Sequence, residues 1–201
     1  MIAIIDYGVG NLYSLLGSLR RIGKEAAVTA DPEQIRAADR IILPGVGAFG
    51  DAMARLRDTG LVPLLLDQAQ RKPLLGICLG MQLLFERSYE YGEHTGLGLL
   101  RGSVVPLAEV LGPEFRIPHM GWNALRFPKP SPLFRYTREG EYVYYVHSFY
   151  ATGCEESVIA TSDYGIPVTG AVQSGSVFGT QFHPEKSGET GLGILRAFSE
   201  I

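Results

Sequence analysis

The sequence predicts an α/β fold in which one mixed, largely parallel sheet is flanked by helices, in a single domain over residues 1–201. Three observations lead to this prediction. In the first half of the chain, short apolar strands alternate with amphipathic helices, which is typical of right-handed βαβ units. After about residue 95, strand-like segments separated by Gly, Pro and Ser predominate. A length of 201 residues suits one domain with a continuous core.

The first half supplies the parallel part of the predicted sheet. Its predicted strands are MIAIID, RIILP and PLLGIC, and its predicted helices are NLYSLLGSLRRIG, FGDAMARLRDTG, LVPLLLDQAQ and MQLLFER. The helix that begins near Asn11 carries one apolar stripe, formed by Leu12, Leu15, Leu16, Leu19 and Ile22. That spacing predicts a helix that covers one face of the sheet.

The second half supplies further strands and a last helix. The predicted strands are GSVVPL, GWNALRF, EYVYYVHSFYA, SVIATSDY, VTGAVQSG and VFGTQFHPE. Pro128, Pro130 and Pro132 predict an exposed loop at PKPSP. The closing helix is predicted from about Gly191 to Phe198.

Composition excludes several classes of function. A formal net charge of −3 without any Lys/Arg cluster argues against nucleic acid or an anionic membrane as partner. No apolar run approaches the roughly 18 residues of a membrane span, and no leader pattern begins the chain, so we expect a cytoplasmic protein. The two cysteines, Cys78 and Cys154, form no disulfide framework, and no His/Cys grouping has metal spacing. We therefore expect no metal and no other cofactor.

The stretch Gly76-Ile77-Cys78-Leu79-Gly80 joins an apolar strand to a helix. It is the thiol version of the Gly-x-Ser-x-Gly nucleophile elbow, in which small flanking residues allow a strained turn to expose the nucleophile. The turn also places the thiol near a helix N-terminus, which favours thiolate, and leaves the Leu79 N–H free for an oxyanion. By itself the pattern leaves open that Cys78 is only a small buried hydrophobic residue.

Gln181-Phe182-His183-Pro184-Glu185 ends an apolar strand late in the chain. Extended backbone places residues two apart on one face, so Glu185 is expected to orient the imidazole of His183. A nucleophile, a base and an orienting carboxylate form a recurrent catalytic set. Together with the elbow, these two residues predict a catalytic triad of Cys78, His183 and Glu185.

The segment GVGAFG after the strand RIILP fits Gly-x-Gly-x-x-Gly, so a dinucleotide site is an alternative to consider. The acidic residue at the expected distance, Asp67, lies inside a helical pattern and not at a strand end. Gly45 and Gly47 are better interpreted as a flexible backbone loop beside the elbow that gives N–H groups to substrate or oxyanion.

The segments GICLGMQLLFE, PGVGAFG and QFHPEKS resemble the class I (triad) glutamine amidotransferases, over essentially the whole chain. DYGVGNLYS, PHMGWN, YYVHSFY and HPEKS are similar to the members of that class that serve histidine biosynthesis. The resemblance implies a flavodoxin-like three-layer fold and one glutaminase domain over residues 1–201. It also implies hydrolysis of glutamine to glutamate and ammonia through a γ-glutamyl thioester on the cysteine.

The resemblance further assigns roles to residues around the triad. It implies an oxyanion hole from Leu79, Val46 and Gly47, and substrate binding by Gln82, Gly45 and Gly47. The implied partner is a (β/α)₈-barrel cyclase subunit, bound as a heterodimer, that receives the ammonia through a protected channel. The expected interface residues are Asn11, His119, Met120, Trp122, Asn123 and Lys186.

Two alternatives remain at this point. One is a class I amidotransferase that serves another synthase, such as those for anthranilate or pyridoxal phosphate. The other is a non-hydrolytic α/β protein whose elbow cysteine acts in redox sensing or binding, but this leaves the His183 and Glu185 pair unexplained.

Overall fold

The computed structural model describes all residues from 1 to 201 and contains one central sheet with two smaller ones. The strands in chain order are β1 (Ile2–Ile5), β2 (Ala26–Thr29), β3 (Arg40–Leu43), β4 (Leu74–Ile77), β5 (Phe85–Ser88), β6 (His94–Thr95), β7 (Leu100–Pro106), β8 (His119–Ala124), β9 (Tyr142–His147), β10 (Phe149–Thr152), β11 (Val158–Asp163), β12 (Pro167–Ser174) and β13 (Val177–Thr180).

Six α-helices connect or cover these strands. They are α1 (Leu12–Arg21), α2 (Pro32–Ala37), α3 (Phe49–Asp58), α4 (Val62–Ala69), α5 (Leu79–Gln82) and α6 (Gly188–Glu200). Three short 3₁₀ turns are at Leu107–Glu109, Pro132–Phe134 and Pro184–Lys186. None of the helices has the length and apolar character needed to cross a membrane.

The central sheet has seven strands in the order β11-β12-β13-β4-β3-β1-β2. The five strands from β13 to β2 are mutually parallel, whereas β12 and β11 are added antiparallel at one edge. The predicted fold class, a mixed and largely parallel sheet flanked by helices, is therefore confirmed. The inner parallel strands β1, β3 and β4 are buried on both faces, which explains why they read as continuous apolar runs.

Successive residues of the central strands contribute to two separate apolar clusters. Ile41 and Leu74 point to the face covered by α3 and α4, where they meet Met53, Leu56 and Leu65. Ile42 and Leu75 belong to the opposite cluster, which contains the buried residues of α1 and α6. The period-two alternation of a strand thus produces three layers, and the predicted stripe of α1 is the one that is buried.

The expected helix MQLLFER is wrong beyond Gln82, because α5 ends there and Phe85 begins β5. The carbonyls of Leu83, Leu84 and Phe85 accept hydrogen bonds from the backbone of residues 97–100, not from the next helical turn. This segment therefore enters a four-stranded sheet of order β10-β7-β5-β6. Its apolar residues are buried by that sheet and not by helix packing.

The strand β2, which pairs with β1, and the helix α2 that follows it were not predicted, and neither was the short strand β6. The start of α2 has a recognisable signal, since Asp31 accepts a hydrogen bond from the Glu33 N–H and Pro32 occupies the first helical turn. The predicted last helix is confirmed and extends further at both ends, over Gly188–Glu200. Pro128, Pro130 and Pro132 are exposed, as predicted for a surface loop.

Replacement of Gly80 by alanine is expected to destabilise the fold. A Cβ at this position would collide with the backbone carbonyl of Leu43 in β3, which has no room to yield within the sheet. We expect a loss of about 1 to 3 kcal/mol or more in the free energy of unfolding, measured by urea denaturation.

Gly17→Ala is the matched control, since Gly17 lies on the exposed side of α1 and a Cβ added there would have no heavy atom within 4 Å. Alanine there should stabilise the helix by about 0.5 to 1 kcal/mol. Equal effects of the two substitutions would contradict a steric role for Gly80.

Candidate active site

Cys78 lies at the sharp turn between β4 and α5. Its backbone has φ 54° and ψ −112°, a left-handed φ that a residue with a side chain rarely adopts. The Cys78 N–H donates to the Thr180 carbonyl over 2.7 Å, and the Cys78 carbonyl accepts from the Gln82 N–H over 3.2 Å. A Cβ on Gly76 would lie 2.7 Å from the Gly80 carbonyl carbon, so the two glycines allow the turn to close. The geometry is that of the predicted nucleophile elbow.

His183 and Glu185 lie beside this turn, at the end of the segment that follows β13. The His183 Nδ1 and the Glu185 Oε1 are 2.8 Å apart, and the two side chains are only 3% and 2% exposed. The expected contact between His183 and Glu185 is present, but it does not arise from an extended strand as predicted. The strand ends at Thr180, and Glu185 lies in the 3₁₀ turn Pro184–Lys186, so the turn and not a continuous strand brings the carboxylate to the ring.

Asn11, expected at an interface, belongs to this cluster. It precedes α1, and its Nδ2 donates to the Glu185 Oε1 over 3.1 Å. The Glu185 Oε1 therefore accepts from both Asn11 and His183, while its Oε2 is buried without a partner. Asn11 restricts the rotation of the carboxylate that orients the imidazole.

The buried pair of His183 and Glu185 has the electrostatics of an imidazolium and a carboxylate. Burial by itself lowers the pKa of His183, but hydrogen bonds and charge interactions with Cys78 and Glu185 outweigh it and raise the pKa to about 10. Burial by itself raises the pKa of Glu185, and the hydrogen bonds with His183 and Asn11 nevertheless hold that pKa below its usual range. Near neutral pH the ring therefore carries a proton that it can deliver to a leaving group.

The loop after β3 closes over the elbow. The Tyr7 hydroxyl, from the segment after β1, donates to the Pro44 carbonyl over 2.7 Å. A Cβ on Gly45 would lie 2.6 Å from the Gly80 backbone nitrogen, so Gly45 allows close contact between the loop and α5. Val46 and Gly47 border the cavity over the thiol. Of the loop residues predicted for the site, only Gly45 does not reach the cavity.

A cavity of about 340 Å³ lies over the thiol and brings the expected site residues together. Its lining includes Cys78, Leu79, Gln82, His183 and the loop residues Val46 and Gly47. Two larger hollows, of about 520 and 450 Å³, border Cys154 and contain no triad residue. The smaller cavity is the candidate site because the reactive groups converge there. No grouping of three or more His, Cys, Asp or Glu side chains is arranged to hold a metal ion.

Gln82 is buried and not solvated on the helix surface. Its Nε2 donates to the Phe149 carbonyl over 3.1 Å and to the Gln181 Oε1 over 2.9 Å. Both amide hydrogens are therefore used inside the protein. The Gln82 Oε1 remains available to accept a hydrogen bond from a molecule in the cavity.

Glu90 lines the same cavity and was not predicted. Its Oε2 accepts a hydrogen bond of 2.7 Å from the Phe49 N–H at the start of α3, and burial raises its pKa. It contributes the only carboxylate on the cavity wall. The local sequence SYEYGE gave no signal, because Glu86 and Glu93 nearby are equally plausible and only the fold brings Glu90 to the thiol.

The residues expected at an interface fall into two groups. Met120 and Trp122 on β8 are 60% and 56% exposed, and Lys186 is also exposed. His119 on the same strand is buried, with its ring stacked on Tyr145 and Tyr164, so it has no surface to offer a partner. The Asn123 amide is also used internally, because its Nδ2 donates to the Asp163 carbonyl over 2.8 Å.

The dinucleotide alternative finds no support in the geometry. Asp67, the acidic residue at the required distance, lies on α4, where it pairs at the surface with Arg71 over 2.9 Å. It is not at the end of a strand, where it would have to be to bind a ribose.

Comparisons with known proteins identify the family of the chain. The family model described as "Glutamine amidotransferase class-I" matches residues 3–200. The imidazole glycerol phosphate synthase subunit HisH of Wolinella succinogenes is 50% identical over 100% of both chains. HisH of Geobacillus kaustophilus is 52% identical over 100% of this chain and 97% of its own length. HisH of Bacillus subtilis is 50% identical over 100% of this chain and 96% of its own length.

Solved structures share the fold at lower identity. The crystal structure of a glutamine amidotransferase superposes with a TM-score of 0.77 at 20% identity and covers 100% of this chain and 98% of that one. The structure of PurLQS from Thermotoga maritima gives a TM-score of 0.76 at 21% identity and covers 98% and 96%. With the family match over residues 3–200 and relatives about 50% identical over the full length, the chain belongs to the class-I glutamine amidotransferase family and, within it, to the HisH subunits of imidazole glycerol phosphate synthase.

Proposed function

We propose that this chain is the glutaminase subunit of an imidazole glycerol phosphate synthase, with one glutaminase domain over residues 1–201. It hydrolyses the side-chain amide of glutamine and passes the ammonia to a cyclase subunit. That partner uses the ammonia to form imidazole glycerol phosphate and AICAR in histidine biosynthesis. The observation that carries the proposal is the convergence of Cys78 with His183, held by Glu185, on one cavity.

The first half of the reaction forms a thioester. The Cys78 thiolate attacks the amide carbon of glutamine, and the carbonyl oxygen becomes an oxyanion. We assign the oxyanion hole to the Leu79 N–H and an N–H from Val46 or Gly47, because these three residues line the cavity beside Cys78. The His183 imidazolium then protonates the amide nitrogen, the C–N bond breaks, and ammonia leaves behind a γ-glutamyl thioester.

The second half of the reaction returns the free enzyme. His183, now neutral, takes a proton from water, and the resulting hydroxide attacks the thioester carbonyl. The C–S bond breaks, glutamate leaves, and the Cys78 thiolate faces an imidazolium again. Glu185 keeps the Nδ1–H of His183 directed at itself in both halves, so the other ring nitrogen always faces the reacting atoms.

Two acceptors on the cavity wall suit the amino-acid end of glutamine. The Gln82 Oε1 and the carboxylate of Glu90 both line the cavity, and both can accept hydrogen bonds from an α-ammonium group. Gly47, in the loop after β3, adds backbone groups to the same cavity wall. A ligand held at that end would place its amide over the thiol.

The exposed residues near the site suit a protein partner. Met120 and Trp122 present large apolar side chains on β8, and Lys186 follows the triad residues directly. Aromatic residues and methionine are enriched at protein interfaces. A (β/α)₈-barrel cyclase docked as a heterodimer on this surface would receive ammonia before water protonates it to ammonium, which is not a nucleophile.

Cys78→Ala is expected to lower glutaminase activity at least about a thousandfold, because no other thiol borders the cavity beside His183. Glutamate release and cyclase product formation would be measured with and without a purified cyclase subunit. The same variant complex supplied with ammonium salt should still form product, since only the ammonia source is lost. If wild type plus cyclase and its nucleotide substrate releases no glutamate, the proposed function is wrong.

Glu185→Gln is expected to shift the basic limb of the pH profile of kcat/KM to lower pH. The raised pKa of His183 keeps the imidazolium protonated up to about pH 10, so the acid that releases ammonia is lost only above that value. Removing the carboxylate charge removes one cause of the raised pKa and should move the limb down by about 1 to 2 pH units.

Asn11→Ala is the graded control for this measurement, because it removes only the hydrogen bond to Glu185 and should shift the limb by less. A basic limb that stays in place in both variants would show that the carboxylate does not set the pKa of His183.

Glu90→Gln is expected to raise the KM for glutamine about tenfold or more, because a charged partner of the α-ammonium is lost. The acid limb of the profile and the reactivity of Cys78 toward iodoacetamide, which has no ammonium group, should change little. Glu93→Gln is the matched control, since Glu93 lies on the surface and pairs with Arg87. An equal KM for the Glu90 variant and wild type would remove Glu90 from the substrate site.

A further inference from the structure

A line of buried and partly buried hydrogen bonds leads from β8 to the wall of the cavity, and the reaction described above does not use it. The Asn123 Nδ2 is 3.3 Å from the His119 Nε2, and the His119 Nδ1 is 2.9 Å from the His147 Nε2. The His147 Nδ1 is in turn 2.8 Å from the Phe149 carbonyl oxygen. Both imidazoles are buried, at 3% and 6% exposure.

The Phe149 carbonyl, at the end of this line, determines which nitrogen of each imidazole carries the hydrogen. A carbonyl oxygen only accepts, so the His147 Nδ1 must carry hydrogen, and the neutral His147 Nε2 must accept. The His119 Nδ1 is then the donor to His147, which leaves the His119 Nε2 as acceptor from the Asn123 amide. Both histidines are therefore Nδ1–H tautomers, and no other assignment of neutral rings satisfies all three contacts.

Burial keeps both rings neutral. The His119 ring is stacked between Tyr145 and Tyr164, with centroids 4.6 and 4.0 Å away. Burial lowers the pKa of His119 to about 4. Burial, opposed by the hydrogen bond to Phe149 and helped by the nearby His119 and His183, lowers the pKa of His147 to about 3. The line of donors and acceptors therefore persists throughout the neutral pH range.

The Phe149 carbonyl is the junction between this line and the substrate cavity. It accepts from the His147 Nδ1–H and also from the Gln82 Nε2 over 3.1 Å. The Gln82 Nε2 also donates to the Gln181 Oε1, and the Gln181 Nε2 is 3.7 Å from the Cys78 sulfur. Residues 146–149 form one side of the cavity. The hydrogen bond from His147 therefore fixes the Phe149 carbonyl, which belongs to this side of the cavity and is also an acceptor for Gln82.

We propose that His119 and His147 are positioning residues for the substrate: through fixed Nδ1–H tautomers they hold the Phe149 carbonyl and, through it, the Gln82 amide that faces the amino-acid end of glutamine. The inference rests on the proposed function, because it assumes that glutamine binds in this cavity. Loss of the donor to Phe149 would leave the carbonyl with Gln82 alone and would loosen the binding wall without touching the triad.

Two substitutions of one residue separate positioning from packing. In His147→Asn the side-chain amide overlays the Nδ1 position and keeps a donor for Phe149, but it loses His119. In His147→Gln the amide reaches the Nε2 position and keeps His119, but it loses Phe149. Each variant gives up one buried hydrogen bond of the same line, so a purely structural role predicts similar losses of thermal stability and similar kinetics for both.

Positioning predicts different kinetics. With the cyclase subunit present, we expect H147Q to raise the KM for glutamine about tenfold or more, with a smaller change in kcat, and H147N to bring KM back to within about threefold of wild type. Equal KM values for the two variants, raised or not, would overturn the proposal. A wild-type complex without glutaminase activity would overturn the proposed function as well, so the two failures are distinguishable.

The tautomers provide a test that needs no variant. Long-range ¹H–¹⁵N NMR spectra of the ¹⁵N-histidine-labelled protein at pH 7 should show both His119 and His147 as neutral Nδ1–H forms. An Nε2–H form or an imidazolium at either residue would break the line of donors and would overturn the proposal, even if H147Q does not fold.

Discussion

The strained turn at Cys78 is the constraint on which the rest of the site depends. A left-handed φ in a residue with a side chain costs on the order of 1 to 3 kcal/mol, and it persists only where surrounding contacts impose it. Here β13 supplies an acceptor for the Cys78 N–H, and Gly80 lies directly against the Leu43 carbonyl of β3. The strained turn directs the sulfur into the cavity at the end of β4. The same contacts hold β3 and β13 beside β4, and the segments after these two strands bring the loop residues and His183 to the sulfur.

The order of the sheet explains how distant parts of the chain meet at one sulfur. The strand β4 has β3 on one side and β13 on the other, and all three are parallel, so their carboxyl ends share one edge. The loop after β3 brings Val46 and Gly47, and the segment after β13 brings His183. Ligand sites of open α/β sheets occur at this edge for the same reason. The short strand β1 completes the group, because Asn11 and Tyr7 follow its end.

What the sequence predicts well is local, and what it misses depends on partners far along the chain. The elbow is recognisable because Gly76, Cys78 and Gly80 are close in sequence, and the contact between His183 and Glu185 needs only a short turn. Glu90 and the end of α5 are different. LLFER does not continue the helix because the backbone N–H groups of residues 97–100 donate hydrogen bonds to the carbonyls of residues 83–85. Glu90 is held at the cavity by the hydrogen bond that its carboxylate accepts from the Phe49 N–H at the start of α3. Neither contact can be predicted from the spacing of residues along the sequence, because the partners are not neighbours in it.

Two buried histidines line the cavity, His147 and His183, and their pKa values are shifted in opposite directions. Their hydrogen-bond partners explain the difference. His183 has a carboxylate at Nδ1, and its interactions with Glu185 and with the sulfur of Cys78 favour the imidazolium by more than the cost of burying it. His147 has a carbonyl and a second imidazole, which suit a neutral ring, and a proton on His183 opposes a second one nearby. The mobile proton is therefore confined to the ring that faces the thiol, where a departing amide nitrogen needs it. A charged His147 would compete for the thiolate, and its Nε2–H would oppose the Nδ1–H of His119 and break the line that ends at Gln82.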